Sequence, residues 1–209
     1  FRITRCALLG PPAALTALPA SRVLARDVGA ATAVVNTTNG PVRGRFEWGL
    51  VQSFKGLRYA APPIGPLRFR PPQPLQKWTE VVDADQFGNA AMQSPGQPDA
   101  PFDEKRSEDC LFLNVWTNSL EGRKPVMVWL HGGAFSSGAS SRPTYWGDHF
   151  ARSGVVLVSL NHRLNIFGYT QLPDSWGPDY ASSGIAGMLD IVAALEWGEG
   201  DIARFGRDP

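Results

Sequence analysis

The residues best equipped for chemistry are His131-Gly132-Gly133-Ala134-Phe135, directly after the apolar run that ends at Leu130. A glycine-rich turn at the carboxyl end of a strand can bare backbone N–H groups, because residues without bulky Cβ branches let a ligand approach closely. Such N–H groups stabilise negative charge that exists only in a tetrahedral intermediate, so they must be fixed before reaction. The bland alternative is a plain tight turn, which the same two glycines would serve. Other reactive side chains are few. His131, His149 and His162 lack metal-ligand spacing; they read as loop support, surface and strand-end packing. Cys6 and Cys110 are too few for a disulfide framework. Cys110, inside Cys110-Leu111-Phe112-Leu113, reads as a buried, inert thiol.

These residues need elements to hold them. Leu111 to Trp116, Val126 to Leu130 and Val155 to Leu160 are short apolar runs bounded by turn residues, as strands buried on both faces should be. Upstream, Ala33 to Asn36, Thr38-Asn39-Gly40 and Val42 to Phe46 read as strand, Asn-Gly turn and strand, with Leu50 to Lys55 a third strand. Six prolines between Pro62 and Pro74 exclude regular helix or central strand there. Residues 93–107 read as another polar loop. Tyr145 to Arg152 is predicted as one short helix closed by Gly154. Ile185, Met188, Leu189, Val192 and Leu195 recur at the spacing of one helical face, with Ser182 or Ser183 as N-cap. Buried strands joined by helical connections predict an α/β fold, a small antiparallel N-terminal sheet leading into a mostly parallel central sheet.

The 209 residues carry 20 Lys and Arg against 19 Asp and Glu, a net charge of +1. That balance lacks the basic excess of a nucleic-acid or membrane-surface protein. With 43% hydrophobic and 11% aromatic residues, the chain can fill a core. No uninterrupted apolar run is long enough for a bilayer-spanning helix. Residues 1–31 differ from the body, residues 32–209. Arg2 and Arg5 precede the Ala/Leu-rich segment Cys6 to Ala20, and small residues follow around Ala25 and at Gly29-Ala30-Ala31. Although Pro11, Pro12 and Pro19 interrupt it, this pattern predicts a secretory leader that has lost its first residues, and hence export to a periplasm or beyond.

Five further blocks occur in order around the glycine loop. They are Phe54-Lys55-Gly56-Leu57-Arg58-Tyr59-Ala60, Pro66-Leu67-Arg68-Phe69-Arg70-Pro71-Pro72 and Ser107-Glu108-Asp109-Cys110-Leu111-Phe112-Leu113-Asn114-Val115 before it. Asn161-His162-Arg163-Leu164-Asn165-Ile166-Phe167-Gly168-Tyr169 and Gly187-Met188-Leu189-Asp190-Ile191-Val192-Ala193-Ala194-Leu195-Glu196-Trp197 follow it. From about Val34 to Pro209 the chain thereby resembles the type-B carboxylesterases, the cholinesterase-like esterases and lipases, in their bacterial form. The resemblance implies the N-terminal part of an α/β-hydrolase fold and hydrolysis of small-molecule carboxylic esters by a serine nucleophile through an acyl-enzyme. It implies oxyanion donors on the backbone N–H groups of Gly133 and Ala134, with Gly132 keeping the approach open. It further implies two structural ion pairs, Arg68 with Glu108 and Arg163 with Asp190, and neither cofactor nor metal.

The nucleophile elbow of that fold is G-x-S-x-G, followed along the chain by the acid and then the histidine. Ser140 has Gly138 two before it but Arg142 two after; Ser182 has Gly184 two after but Tyr180 two before. No serine satisfies the motif. The resemblance places the elbow shortly after the segment Asp201 to Pro209, so Ser, acid and His are expected beyond Pro209, and residues 1–209 alone are expected to be inactive. Met92 stands where a cysteine partner for Cys110 is common in the family. Gly198 and Gly200 fall where the family keeps a helix, at about 1 kcal/mol each, and Arg207 replaces a habitual glycine. Phe135, Tyr145, Trp146 and Trp176 are candidates for lining an acyl or alcohol pocket. Two alternatives stand beside the esterase. One is a cholinesterase-like binding or adhesion domain that has lost its serine. The other is a hormone-sensitive-lipase-like esterase, which shares the HGG loop without explaining the Phe54 and Glu108 blocks.

Overall fold

Seven strands form one mixed sheet in a computed structural model that describes residues 28–95, 100 and 104–207. Residues 1–27 of the expected leader lie outside the described residues. The strands are β1 (Ala31–Asn36), β2 (Pro41–Glu47), β3 (Val51–Arg58), β4 (Val82–Asp83), β5 (Phe112–Thr117), β6 (Val126–Leu130) and β7 (Val156–Leu160). Their order is β1-β2-β3-β5-β7-β6, with β4 beside β2. The antiparallel entrance strands are thus continuous with the main sheet through the β3–β5 pair.

Within this stretch of chain the central sheet is less parallel than its apolar runs suggest. β5 and β7 pair antiparallel, and among the path neighbours only β6 and β7 run parallel. Connection length explains the difference. Residues 118–125 turn the chain back directly, so β6 opposes β5. The link from β6 to β7 carries a helix, α1 (Asp148–Arg152), and parallel neighbours need such a crossover. β7 then inserts between β5 and β6. The helix predicted over Tyr145 to Arg152 is shorter than expected, because Pro143–Tyr145 forms a separate 3-10 turn and α1 starts after Gly147.

The core is built on β5 and β7, whose residues are buried throughout. Phe54, Leu113, Val115, Val158, Leu160 and Phe205 belong to one cluster, in which the Phe205 ring meets Phe54 edge-on with centroids 4.9 Å apart. Cys110 is buried in the same cluster, and burial pushes its thiol pKa up, as an inert thiol requires. Met92 is exposed, whereas the neighbouring Ala91 shares the Cys110 cluster.

Two further expectations are reversed. Val126 to Leu130 is the sheet's outer strand, with Met127, Val128, Trp129 and Leu130 37–46% exposed rather than buried on both faces. After the short helix α2 (Asn165–Tyr169), the long helix α3 (Ala186–Asp201) buries Ala186, Gly187, Asp190, Ile191, Ala194, Trp197 and Asp201. Its stripe of larger residues, Met188, Val192 and Leu195, stays 43–48% exposed, and Ile185 just before it is exposed as well. The small face wins because α3 must approach closely. A Cβ at Gly187 would lie 2.6 Å from the Arg163 carbonyl oxygen and from the Tyr169 ring. Neither serine caps α3: Ile185 is the cap residue, and Ser183 Oγ instead accepts from the Leu172 N–H at 2.9 Å. The helix runs unbroken through Gly198 and Gly200 to Asp201. Its end is tied down there, as Asp201 accepts from the N–H and hydroxyl of Thr38, both at 2.7 Å.

Candidate active site

β6 and β7 run in register, with Leu130 opposite Leu160, so both chains leave the sheet at one edge. That carboxyl edge is where open α/β sheets hold their ligands. His131 follows β6 and His162 lies two residues beyond β7. Their rings stack with centroids 5.2 Å apart and planes 9° apart. His131 Nδ1 lies 3.1 Å from the Gly132 carbonyl oxygen, so the neutral ring carries its proton on Nδ1 and donates it to its own loop. Its Nε2 is buried without a hydrogen-bond partner among the described residues. Burial pushes the His131 pKa down to about 4 and lowers that of His162 as well. Both imidazoles are therefore neutral at pH 7. His149, in contrast, is at the surface, 3.8 Å from Asp148.

The loop after His131 departs sharply from extended backbone. Gly133, Ala134 and Phe135 have φ of 128°, 51° and 59°. At Gly133 the glycine is obligatory, since a Cβ would sit 2.0 Å from the Ser137 carbonyl oxygen. Ala134 and Phe135 hold left-handed conformations at about 1–2 kcal/mol each. Surrounding bonds enforce them. The Gly133 carbonyl accepts from the N–H groups of Ser136 and Ser137, at 3.0 and 3.1 Å, and from the Ser136 hydroxyl at 2.9 Å. Among the described residues, the carbonyls of Gly132, Gly133, Phe135 and Ser136 accept hydrogen bonds, while the N–H groups of Gly133 and Ala134 donate to no protein acceptor. Gly132, Gly133 and Ala134 are all exposed. A Cβ at Gly132 would meet nothing within 4 Å.

Three side-chain amides that the sequence reading left unassigned hold this loop. The Asn165 N–H donates to the Phe135 carbonyl at 2.9 Å, and Asn165 Nδ2 donates to the Ser136 and Met92 carbonyls at 2.9 and 3.0 Å. Gln93 engages both backbone groups of Gly138, each at 2.8 Å. Asn161 Oδ1 accepts the Ser140 N–H at 2.7 Å. All three contacts join loops distant in sequence, so no local spacing announces them. The one sequence signal is Asn165 itself, a residue type that tolerates the left-handed φ of 54° seen there.

The four aromatic candidates do not share one pocket. Phe135 packs 5.0 Å from Tyr169 and 6.2 Å from His162, beside the glycine loop. Tyr145 packs on Trp129, Trp146 on Phe87 and Trp176 on Tyr180. The four charged residues singled out in the sequence meet in two pairs. Arg68 contacts both carboxylate oxygens of Glu108 at a partly exposed site. Arg163 and Asp190 are fully buried and joined at 2.7 Å. Among the described residues, no group of His, Cys, Asp and Glu could hold a metal ion, and no helix is long and apolar enough to cross a membrane.

A profile of the carboxylesterase family matches residues 31–209. The chain belongs to the carboxylesterase family. It is 41% identical over 180 residues to a para-nitrobenzyl esterase of Bacillus subtilis, covering 84% of this chain and 36% of that protein. It is 39% identical over 189 residues to a cholinesterase of Mus musculus, over 84% of this chain and 31% of the relative. A crystal structure of a Geobacillus stearothermophilus carboxylesterase superposes with a TM-score of 0.77 at 45% identity, covering 84% and 36% of the two chains. These relatives are type-B carboxylesterases, and the fold is that of the α/β-hydrolases. The chain spans about a third of the length of the curated relatives it matches.

Proposed function

We propose that this chain forms the oxyanion-stabilising part of a serine carboxylic ester hydrolase. The observation that carries the reading is the glycine loop, in which, among the described residues, the Gly133 and Phe135 carbonyls are engaged while the N–H groups of the exposed Gly133 and Ala134 donate to no protein acceptor. In the reaction a serine attacks the ester carbonyl, and its oxygen takes up charge as the tetrahedral intermediate forms. Gly133 and Ala134 donate to that oxyanion, and Gly132 leaves room for the substrate to approach. Donors of this kind are worth most when fixed beforehand, and loss of one costs about 10²–10³ in turnover. Neutral His131 and His162 support the loop; the nucleophile, its histidine and its acid come from outside residues 1–209. Residues 1–209 alone are then inactive.

The exposed strand β6 and the outer stripe of α3 support the same reading, since an apolar surface of that extent marks an interaction site. It is the face against which the remaining hydrolase elements pack. The basic and then apolar residues 1–31 support export, which the N-terminal sequence of the protein from culture supernatant reads out.

The deciding experiment is to read the coding sequence past Pro209 and express the whole product. A G-x-S-x-G serine, hydrolysis of p-nitrophenyl esters and loss of that hydrolysis on Ser→Ala support the proposal. A continuation without the serine and without hydrolysis overturns it and leaves a binding domain on a carboxylesterase fold.

A further inference from the structure

We propose that Gln93 is a positioning residue for the ester-hydrolysis step, holding the oxyanion loop through Gly138 while Asn165 grips it at Phe135 and Ser136; this rests on the esterase reading above. Gln93 lies 45 residues before Gly138, in a separate loop. Its Nε2 donates to the Gly138 carbonyl and its Oε1 accepts the Gly138 N–H, a two-point contact that fixes the plane of the peptide groups as well as their distance. Gln93 is itself braced. Nε2 also donates to the Ala91 carbonyl at 3.1 Å, and Oε1 accepts from buried Arg142 at 3.3 Å.

Gly138 passes the constraint on. It has φ of 115°, and a Cβ there would lie 2.3 Å from His131 Nδ1 and 2.4 Å from the Gly132 carbonyl oxygen. Gly138 therefore packs directly against the start of the loop that carries the Gly133 and Ala134 N–H groups. Asn165 takes the carbonyls of Phe135 and Ser136, and that of Met92 next to Gln93. Along the chain the donor residues thus lie between Gly132, against which Gly138 packs, and Phe135, which Asn165 holds. Freed from one clamp, the strained left-handed turn at Ala134 and Phe135 can relax and swing its N–H groups away from the oxyanion position. Displacement of catalytic donors by about 1 Å can cost about 10²-fold in rate.

The test uses the full-length protein carrying Gln93→Met, which keeps the side chain's length and removes both amide contacts. With p-nitrophenyl butyrate we expect kcat to fall about tenfold or more while KM stays within about twofold, the split that marks an interaction made in the transition state. Affinity for a trifluoromethyl ketone, which forms an oxyanion with the nucleophile, should weaken in parallel with kcat. Hydrogen exchange should quicken at Ser136, Ser137 and Gly138, whose N–H groups are hydrogen-bonded, and stay unchanged in α3. A wild-type protein that hydrolyses the ester, with Gln93→Met matching it in kcat and ketone affinity, overturns the positioning role and leaves the esterase reading standing. A wild-type protein without hydrolysis fails the esterase reading instead, and unchanged loop exchange in Gln93→Met would then overturn the clamp as well. Should Gln93→Met lose protection in α3, the same measurements are made on Gln93→Glu. That variant keeps an acceptor for the Gly138 N–H and should recover part of the loop protection; recovery of none, with α3 intact, counts against the clamp.

Discussion

Asp190 receives three hydrogen bonds from a single residue. The Arg163 backbone N–H and Nε reach one carboxylate oxygen at 3.0 and 2.8 Å, and Nη2 reaches the other at 2.7 Å. The same guanidinium donates to the Arg70 carbonyl at 2.8 Å and the Ala186 carbonyl at 3.4 Å. One buried cation thus joins the exit of β7, the proline-rich segment and the start of α3. Removing one partner of such a pair leaves an uncompensated buried charge, at about 3–5 kcal/mol. Asp190→Ala should lower stability by that order in guanidinium unfolding, and Arg163→Met with Asp190→Leu should recover part of it. A loss below about 1 kcal/mol would mean that the pair does not organise this junction.

Stability should also fall with acid through His131. Burial holds its folded pKa at about 4, below the ordinary 6.5, with His162 and Arg142 opposing its charge further and Glu104 favouring it. Above pH 6.5 both folded and unfolded imidazoles are neutral and the site costs nothing. Between 6.5 and about 4 the unfolded state binds a proton that the folded state refuses, so stability drops as pH falls, by roughly 3 kcal/mol over the window. Below about 4 the contribution levels off. His162, also lowered by burial, acts in the same direction. Urea unfolding at pH 7, 5.5 and 4.5 should show this slope in wild type and a shallower one in His131→Asn. Equal slopes would place the proton uptake elsewhere.

The glycine loop was legible because its signal is local: two glycines directly after an apolar run. Its supports were not, since Gln93, Asn161 and Asn165 act through backbone contacts with residues 21 to 45 positions away. The helix α3 shows a different limit. Periodicity identified the apolar stripe of Met188, Val192 and Leu195, but the buried face is the one with Gly187, Asp190 and Ala194. A buried ion pair and a close backbone approach, both tertiary, decided between two apolar faces. Likewise, an apolar run such as Val126 to Leu130 reports that a strand suits burial, and only the strand order shows which elements cover it.

Gly138 offers a steric counterpart to the loss of Gln93. With φ of 115° and His131 Nδ1 2.3 Å from any added Cβ, Gly138→Ala must move either the loop or the imidazole. We expect ester hydrolysis by the full-length protein to fall by about 10² or more, with the helices retained by far-UV circular dichroism. Gly132→Ala, where a Cβ meets nothing within 4 Å of the described residues, should be milder on the fold. Activity in Gly138→Ala close to wild type would show that the loop tolerates displacement at its base.

The outer face of α3 separates a covered surface from a solvent one. Val192 and Leu195 are 47% and 48% exposed in residues 28–207, yet they lie on a helix that is apolar on both sides, the pattern of a helix buried all round. Beside Leu195, the cavity of about 430 Å³ that Val126, Val128 and Ile202 also line gives a packing element somewhere to enter. A charge placed on a truly exposed helix face changes stability by no more than about 0.5 kcal/mol, whereas an unpaired charge in a packed interface costs several times that. Val192→Asp should therefore cost more than about 2 kcal/mol in the full-length protein. In residues 32–209 expressed alone, the same change should be nearly neutral and should reduce aggregation. If Val192→Asp is as mild in the full-length protein as in the shorter chain, the stripe faces water in both and the hydrolase elements pack elsewhere.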